Sequence, residues 1–146
     1  MDTRFEDLDF PPDLHYLIEH QVWARDEGSG HFTVGITALG VALAGEIYMC
    51  RAKQAGSIVE QGRSIAVVEL AKSIVSVKSP LNGIVREANP SLAQAPERVH
   101  TDPYLSGWIA RIEAASASGI EHLVYGAAVR PAMIEHARLY GIDSRG

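Results

Sequence analysis

The chain has a single cysteine, Cys50, so no internal disulfide can form and a reducing cytoplasm is the expected compartment. No apolar run approaches the length of a membrane span. The opening residues, MDTRFEDLDF, are acidic and lack the apolar stretch of a signal peptide. A net charge of -5, with basic residues concentrated in no run, argues against nucleic acid or an anionic membrane as partner. Catalytic signatures are missing as well. The six histidines (His15, His20, His31, His100, His122, His136) show no HExxH or other metal-ligand spacing, and one cysteine cannot supply a zinc cluster. GxSxG, GxxxxGK followed by Ser or Thr, and a helix-opening GxGxxG are absent too. Because triads are assembled in space, these absences lower the case for a self-contained enzyme without closing it.

What is present is an ordinary globular composition, 47% hydrophobic and 21% charged over 146 residues, which suits one domain with a sizeable core. Strand patterns dominate up to about Glu113. His20 to Arg25 and His31 to Ile36 flank the turn-like DEGSG and read as a hairpin. Thr37 can cap a short helix, Ala38 to Ala44, that Gly45 can end; it is apolar nearly all round, so it is either buried or a docking face. Strands resume at Glu46 to Cys50, Ser57 to Val59, Ile65 to Leu70, Ile74 to Val77 and Gly83 to Glu87. Cys50 closes an apolar segment and reads as a small core residue. The stretch from Ser91 to Pro103 reads as a loop, and Ser106 to Glu113 as a last strand. In the tail, Ile120, Leu123, Val124 and Ala127, then Met133, Ile134, Ala137 and Tyr140, follow helical spacing and predict two short amphipathic helices.

The sharpest local feature is VELAKSIVSVKSPLNG, Val68 to Gly83. Two β-branched runs are separated by Ala71-Lys72-Ser73, and none of these residues has the backbone freedom that tight hairpin turns favour. A solvated lysine at such a tip, Lys72, offers its amine for covalent attachment. The bland alternative is an ordinary surface lysine. GSIVEQG from Gly56 and NGIVREAN from Asn82 echo each other on either side of it, as two similar halves of a sandwich would.

Reading outward from Lys72, Gly62, Glu69, Pro80 and Gly83 form an arrangement that resembles the lipoyl/biotinyl carrier fold. The resemblance implies a mainly β, barrel-sandwich hybrid (a flattened β barrel) with short C-terminal helices and a modified lysine at a hairpin tip. Biotin carriers typically have Met beside that lysine, whereas Ala71 and Ser73 flank Lys72, so lipoate is the expected cofactor. Glu69 and Gly83 are then the expected recognition residues for a lipoate-attachment enzyme, although Glu69 reads equally as a solubilising strand-end charge. Lys78 is the nearest competitor but lies within a strand. HQVWARDEGSGHFTVGIT, His20 to Thr37, and NPSLAQAPERVHTDPYLSGWIARI, Asn89 to Ile112, are similar to the H protein of the glycine cleavage system. The match spans roughly Leu14 to Glu113 and implies a non-catalytic carrier. Its domain occupies 14–113, with an N-terminal extension over 1–13 and a C-terminal helical extension over 114–146.

Several positions depart from that family: Leu70-Ala71 before the lysine, the apolar ALGVALA helix, Leu105 after Asp-Pro-Tyr and a less acidic last helix. Together with FPPDLHY, Phe10 to Tyr16, they resemble H-like lipoate-binding proteins of sulfur oxidation, which implies a heterodisulfide-reductase-like complex as partner. That branch is set here above glycine cleavage, whose partners would be glycine decarboxylase and aminomethyltransferase. An unmodified scaffold module is the reading from a different class.

Overall fold

The computed structural model describes residues 4–116 and 119–142. Ten strands form two antiparallel sheets: β1 (His15–Leu17), β2 (Val22–Gly28), β3 (His31–Ile36), β4 (Met49–Ala52), β5 (Ile58–Val59), β6 (Ser64–Glu69), β7 (Ile74–Lys78), β8 (Gly83–Ala88), β9 (Ala110–Ala114) and β10 (Val124–Tyr125). The larger sheet runs β10-β1-β2-β3-β9-β8-β5 and the smaller β4-β6-β7. Between them lies a core built from Val22, Val34, Ile65, Val68, Val85 and Ile112 among others. The result is a mainly β, flattened and open barrel.

Strand alternation explains why the larger sheet is buried on both faces around the start of β2, while β5, β8 and β9 keep one face exposed. Val22 and Ala24 point into the inter-sheet core, while Trp23 between them points into a second cluster with Phe5, Leu14, Tyr16, Leu39 and Met133. That second cluster is covered by the N-terminal segment, by α1 (Ala38–Ala44) and by α3 (Val129–Leu139). The Trp23 indole N–H donates to the Ile36 carbonyl at 3.1 Å. A Cβ on Gly35 would lie 2.6 Å from the same ring, so the Gly in Val-Gly-Ile-Thr makes room for the tryptophan.

The α1 boundaries follow the capping signals. The Thr37 hydroxyl accepts from the Gly40 N–H at 2.9 Å, and Gly45 ends the helix at φ 83°. Leu39 and Val41 are buried in different clusters, so packing accounts for the helix's apolar character.

Other boundaries differ from the sequence expectation. Among the described residues the tail holds one α-helix rather than two. Gly126 adopts φ 69°, and the segment before it forms β10, which pairs with β1 and leaves Leu123 in the core. The apolar residues from Ile120 to Ala127 are thus spaced to meet two surfaces, not to line one helix face. The last barrel strand starts at Ala110 rather than Ser106. The Asp102 carboxylate accepts from both the N–H (3.0 Å) and the hydroxyl (2.6 Å) of Ser106, holding that stretch in a turn. The supposed loop after Ser91 contains α2 (Arg98–Thr101) and a short 3-10 turn at Pro90–Ala93 capped by Asn89. β4 begins at Met49, three residues later than expected. The echo segments meet: Ile58 faces Ile84 and Val59 faces Gly83 across the β5–β8 pair.

Candidate functional site

Strands β6 and β7 form the hairpin that carries Lys72. Glu69 faces Ile74, Val68 faces Val75 and Val67 faces Ser76, and the Leu70 N–H donates to the Ser73 carbonyl at 2.8 Å to close the tip. No residue from 70 to 73 has a positive φ, so the tip needs neither glycine nor asparagine. Ala71, Lys72 and Ser73 are all exposed, and among the described residues none bonds or ion-pairs with the Lys72 amine. Lys78 is half-buried within the sheet opposite Ser64 and is poorly presented by comparison.

Of the other residues singled out in the sequence, the structure brings only Glu69 near the tip. It is exposed at the end of β6, and its carbonyl accepts from the Tyr48 N–H at 2.9 Å. Gly62 and Pro80 mark the base of the hairpin, where the Gly62 N–H donates to the Ser79 carbonyl at 2.9 Å. The Pro80 carbonyl lies 2.8 Å from His122 Nε2, which therefore carries the ring proton on that nitrogen. Gly83 stands in the other sheet. A Cβ there would lie 2.2 Å from the Glu113 carbonyl oxygen, so close approach of β8 to β9 already requires glycine.

A cleft of about 410 Å³ lies beside the hairpin. Leu70 and Val75 form one wall; Gln21, Leu43, His136 and Tyr140 close the others. Gln21 is buried at φ 54°, its amide donating to the Ile18 carbonyl at 2.8 Å and accepting from the Thr37 hydroxyl at 2.5 Å. Burial pushes the His136 imidazole below its ordinary value. Sequence reasoning missed this cleft, because its walls come from four separate segments.

Burial pushes the Cys50 thiol up to about 12, leaving it inert as a nucleophile. Among the described residues no group of three or more His, Cys, Asp or Glu is placed to hold a metal ion.

A flattened two-sheet barrel presenting an exposed, unpaired lysine on a hairpin tip defines the lipoyl/biotinyl class of carrier domains. The family model described as glycine cleavage H-protein matches residues 14–136. The glycine cleavage system H protein of Halorhodospira halophila is 41% identical over 118 residues, covering 81% of this chain and 90% of that one. That of Idiomarina loihiensis is 40% identical over 114 residues, covering 78% and 88%. The crystal structure of a glycine cleavage system H protein from Mycobacterium marinum matches with a TM-score of 0.71 at 25% identity, over 91% of this chain and 100% of that one. The chain belongs to the glycine cleavage H-protein family. Proteins of this family are non-catalytic and carry lipoate covalently on a lysine, working with partner enzymes.

Proposed function

We propose that Lys72 is the lipoyl attachment residue and that the chain carries the methylamine group of glycine from glycine decarboxylase to aminomethyltransferase. The observation that carries this reading is the placement of Lys72, exposed and unpaired on a narrow tip that no turn chemistry demands. The site fits the group: the amine is free to form an amide, and Leu70 and Val75 give an adjacent apolar wall for an attached chain. When bound, lipoate supplies a dithiolane that opens to a dithiol and carries the transferred group. This chain's own residues tether and position it. Tethering at Lys72 raises local concentration at each partner's active site without demanding tight binding between the proteins.

The division into a carrier domain over 14–113 with flanking extensions belongs to the same proposal, as do the attachment-enzyme roles of Glu69 and Gly83. The outermost residues of those extensions, 1–3 and 143–146, lie outside the described residues. Among the described residues no helix is long and apolar enough to cross a membrane, and a buried lone cysteine suits the reducing cytoplasm proposed for the chain.

The relatives reverse the order of branches set from the sequence alone. The apolar α1 no longer speaks for sulfur oxidation, since burial of Leu39 and Val41 explains it. Two features still favour that second reading, with a heterodisulfide-reductase-like partner: Leu70-Ala71 before the lysine, and Leu105, 67% exposed where the family has glycine.

Intact mass and peptide mapping of protein made with its own attachment enzymes test the site. One lipoyl group on Lys72, absent from Lys72→Ala, is the expected result; no modification, or modification that survives the substitution, overturns it. Loading by glycine decarboxylase in the presence of glycine then tests the branch.

A further inference from the structure

The basic residues form no run in the sequence, yet the smaller sheet places three of them, Arg51, Lys53 and Lys78, on one face. From the start of β4 to the end of β7, residues 49–78, there are five Lys or Arg (Arg51, Lys53, Arg63, Lys72, Lys78) against two Asp or Glu, a net charge of +3; the rest of the chain has eight against sixteen, a net of -8. Register explains the gathering. Arg51 faces Val67, which faces Ser76, and side chains two residues further along a strand share the same face, which brings Lys53 and Lys78 alongside. Arg51 and Lys53 are exposed and Lys78 is half-buried.

These cations have no acidic partners. Among the described residues every ion pair lies elsewhere: Arg4–Glu6, His20–Glu19, His31–Glu113, Arg86–Glu113, Arg111–Glu87 and Arg138–Glu135. Close to the tip the same face exposes Ile74, 66% exposed and opposite the exposed Glu69, with Tyr48, 51% exposed, next to Glu69; Val75, 42% exposed, points to the other side and lines the cleft. At roughly 3.3 Å per residue, Lys78 stands about 20 Å from Lys72 along β7.

We infer that this face is the docking surface for the lipoate-attachment enzyme, which meets it with an acidic surface around its active-site entrance. The inference rests on Lys72 being the attachment residue. An enzyme must bring its acyl donor to the Lys72 nitrogen, and it then necessarily lies along β6 and β7. The amine attacks the acyl carbon of an activated lipoyl ester or anhydride. A C–N bond forms, the C–O bond to the leaving group breaks, and one amine proton goes to solvent. Ile74 and Tyr48 near the tip supply the apolar part of the contact and the unpaired cations its rim, which acts on encounter rate and orientation. The acidic remainder of the molecule disfavours approach from the other side.

The test measures the initial rate of lipoyl addition to the purified chain by its own organism's attachment enzyme, followed by intact mass, at low and moderate salt. The variants are Arg51→Glu/Lys53→Glu and, as a control with the same change of charge, Arg98→Glu/Arg138→Glu; all four side chains are exposed, and melting curves verify folding. Attraction of this kind speeds association by about 10-fold or more, so kcat/KM for the first variant is expected to fall at least about 10-fold at low salt with kcat little changed. Wild type should lose rate as salt rises and the Debye length shrinks from about 30 Å at 10 mM to about 10 Å at 100 mM. The control should stay within about twofold of wild type on the same scale. Equal rates for wild type and the Arg51/Lys53 variant at every salt, or an equal loss in the control, overturns the inference. So does low-salt self-association of wild type that the Arg51/Lys53 variant abolishes, which would make the occupant a second copy. Failure of the Lys72 reading looks different: wild type itself gains no lipoyl group, or gains it at another residue.

Discussion

Gly83 shows how one residue can be singled out for one reason and required for another. Its place eleven residues after Lys72 is the ground for the attachment-enzyme role proposed for it, while the Glu113 carbonyl leaves no space for a Cβ. Gly83→Ala should therefore destabilise the fold by about 1–3 kcal/mol, the usual cost of overpacking, seen as a lower midpoint in urea. Lipoyl addition to the fraction that stays folded should be little affected if glycine serves packing alone; a large loss of modification at unchanged stability would return the residue to recognition. Gly35→Ala should be destabilising by a similar amount, about 1–3 kcal/mol, through the Trp23 ring. Lys72 was legible in the sequence because a tip without turn residues, flanked by β-branched runs, leaves its lysine without a local purpose. The packing role of Gly83 was not, since the carbonyl it meets lies 30 residues away on β9.

Elements were legible wherever capping and alternation act locally, and less so wherever a segment serves two neighbours. α1 runs between its cap and its glycine as the sequence reads. Removing the cap with Thr37→Ala should cost about 1–2 kcal/mol, more than an isolated cap, because Gln21 loses its hydroxyl partner as well. Urea titration at a single pH checks this. The tail misled because β10 borrows β1 for its hydrogen bonds, a pairing across more than 100 residues that no local pattern shows. On α3, His136 is held below its ordinary pKa by burial. Its folded pKa is depressed, so the unfolded chain binds the extra proton first, and stability is lost as pH falls below the unfolded value of about 6.5. Glu19 and His20 line the same cleft, and the His136 ring packs against Tyr140 with centroids 5.1 Å apart. His136→Gln is expected to flatten the fall in melting temperature between pH 7 and pH 5; an unchanged slope would place the pH sensitivity elsewhere, such as at His15, which burial also pushes down.

At the scale of the whole molecule, the two sheets have different tasks. The larger sheet is buried on both faces around Trp23 and holds the family's recurring residues for reasons of packing: Trp23 and Gly35 fill and clear one space, and the Tyr104 hydroxyl donates to the Asp9 carbonyl at 2.6 Å while accepting from the Ala38 N–H at 2.9 Å. The smaller sheet carries the lysine, the exposed apolar residues and the unpaired cations. Substitutions should divide along the same line. Trp23→Ala is expected to cost about 3–5 kcal/mol in a urea titration, and exposed changes on β4 only a few tenths of that range. The chain's lysines, Lys53, Lys72 and Lys78, all belong to the segment that builds the smaller sheet, and every other side-chain cation is an arginine. Amine-directed reagents would therefore label this molecule's side chains on one side alone. A dye or a bead coupled through lysine would blind the carrying face and leave the larger sheet outward, whereas a carboxyl linkage would attach mostly elsewhere, since sixteen of the eighteen Asp and Glu lie outside residues 49–78.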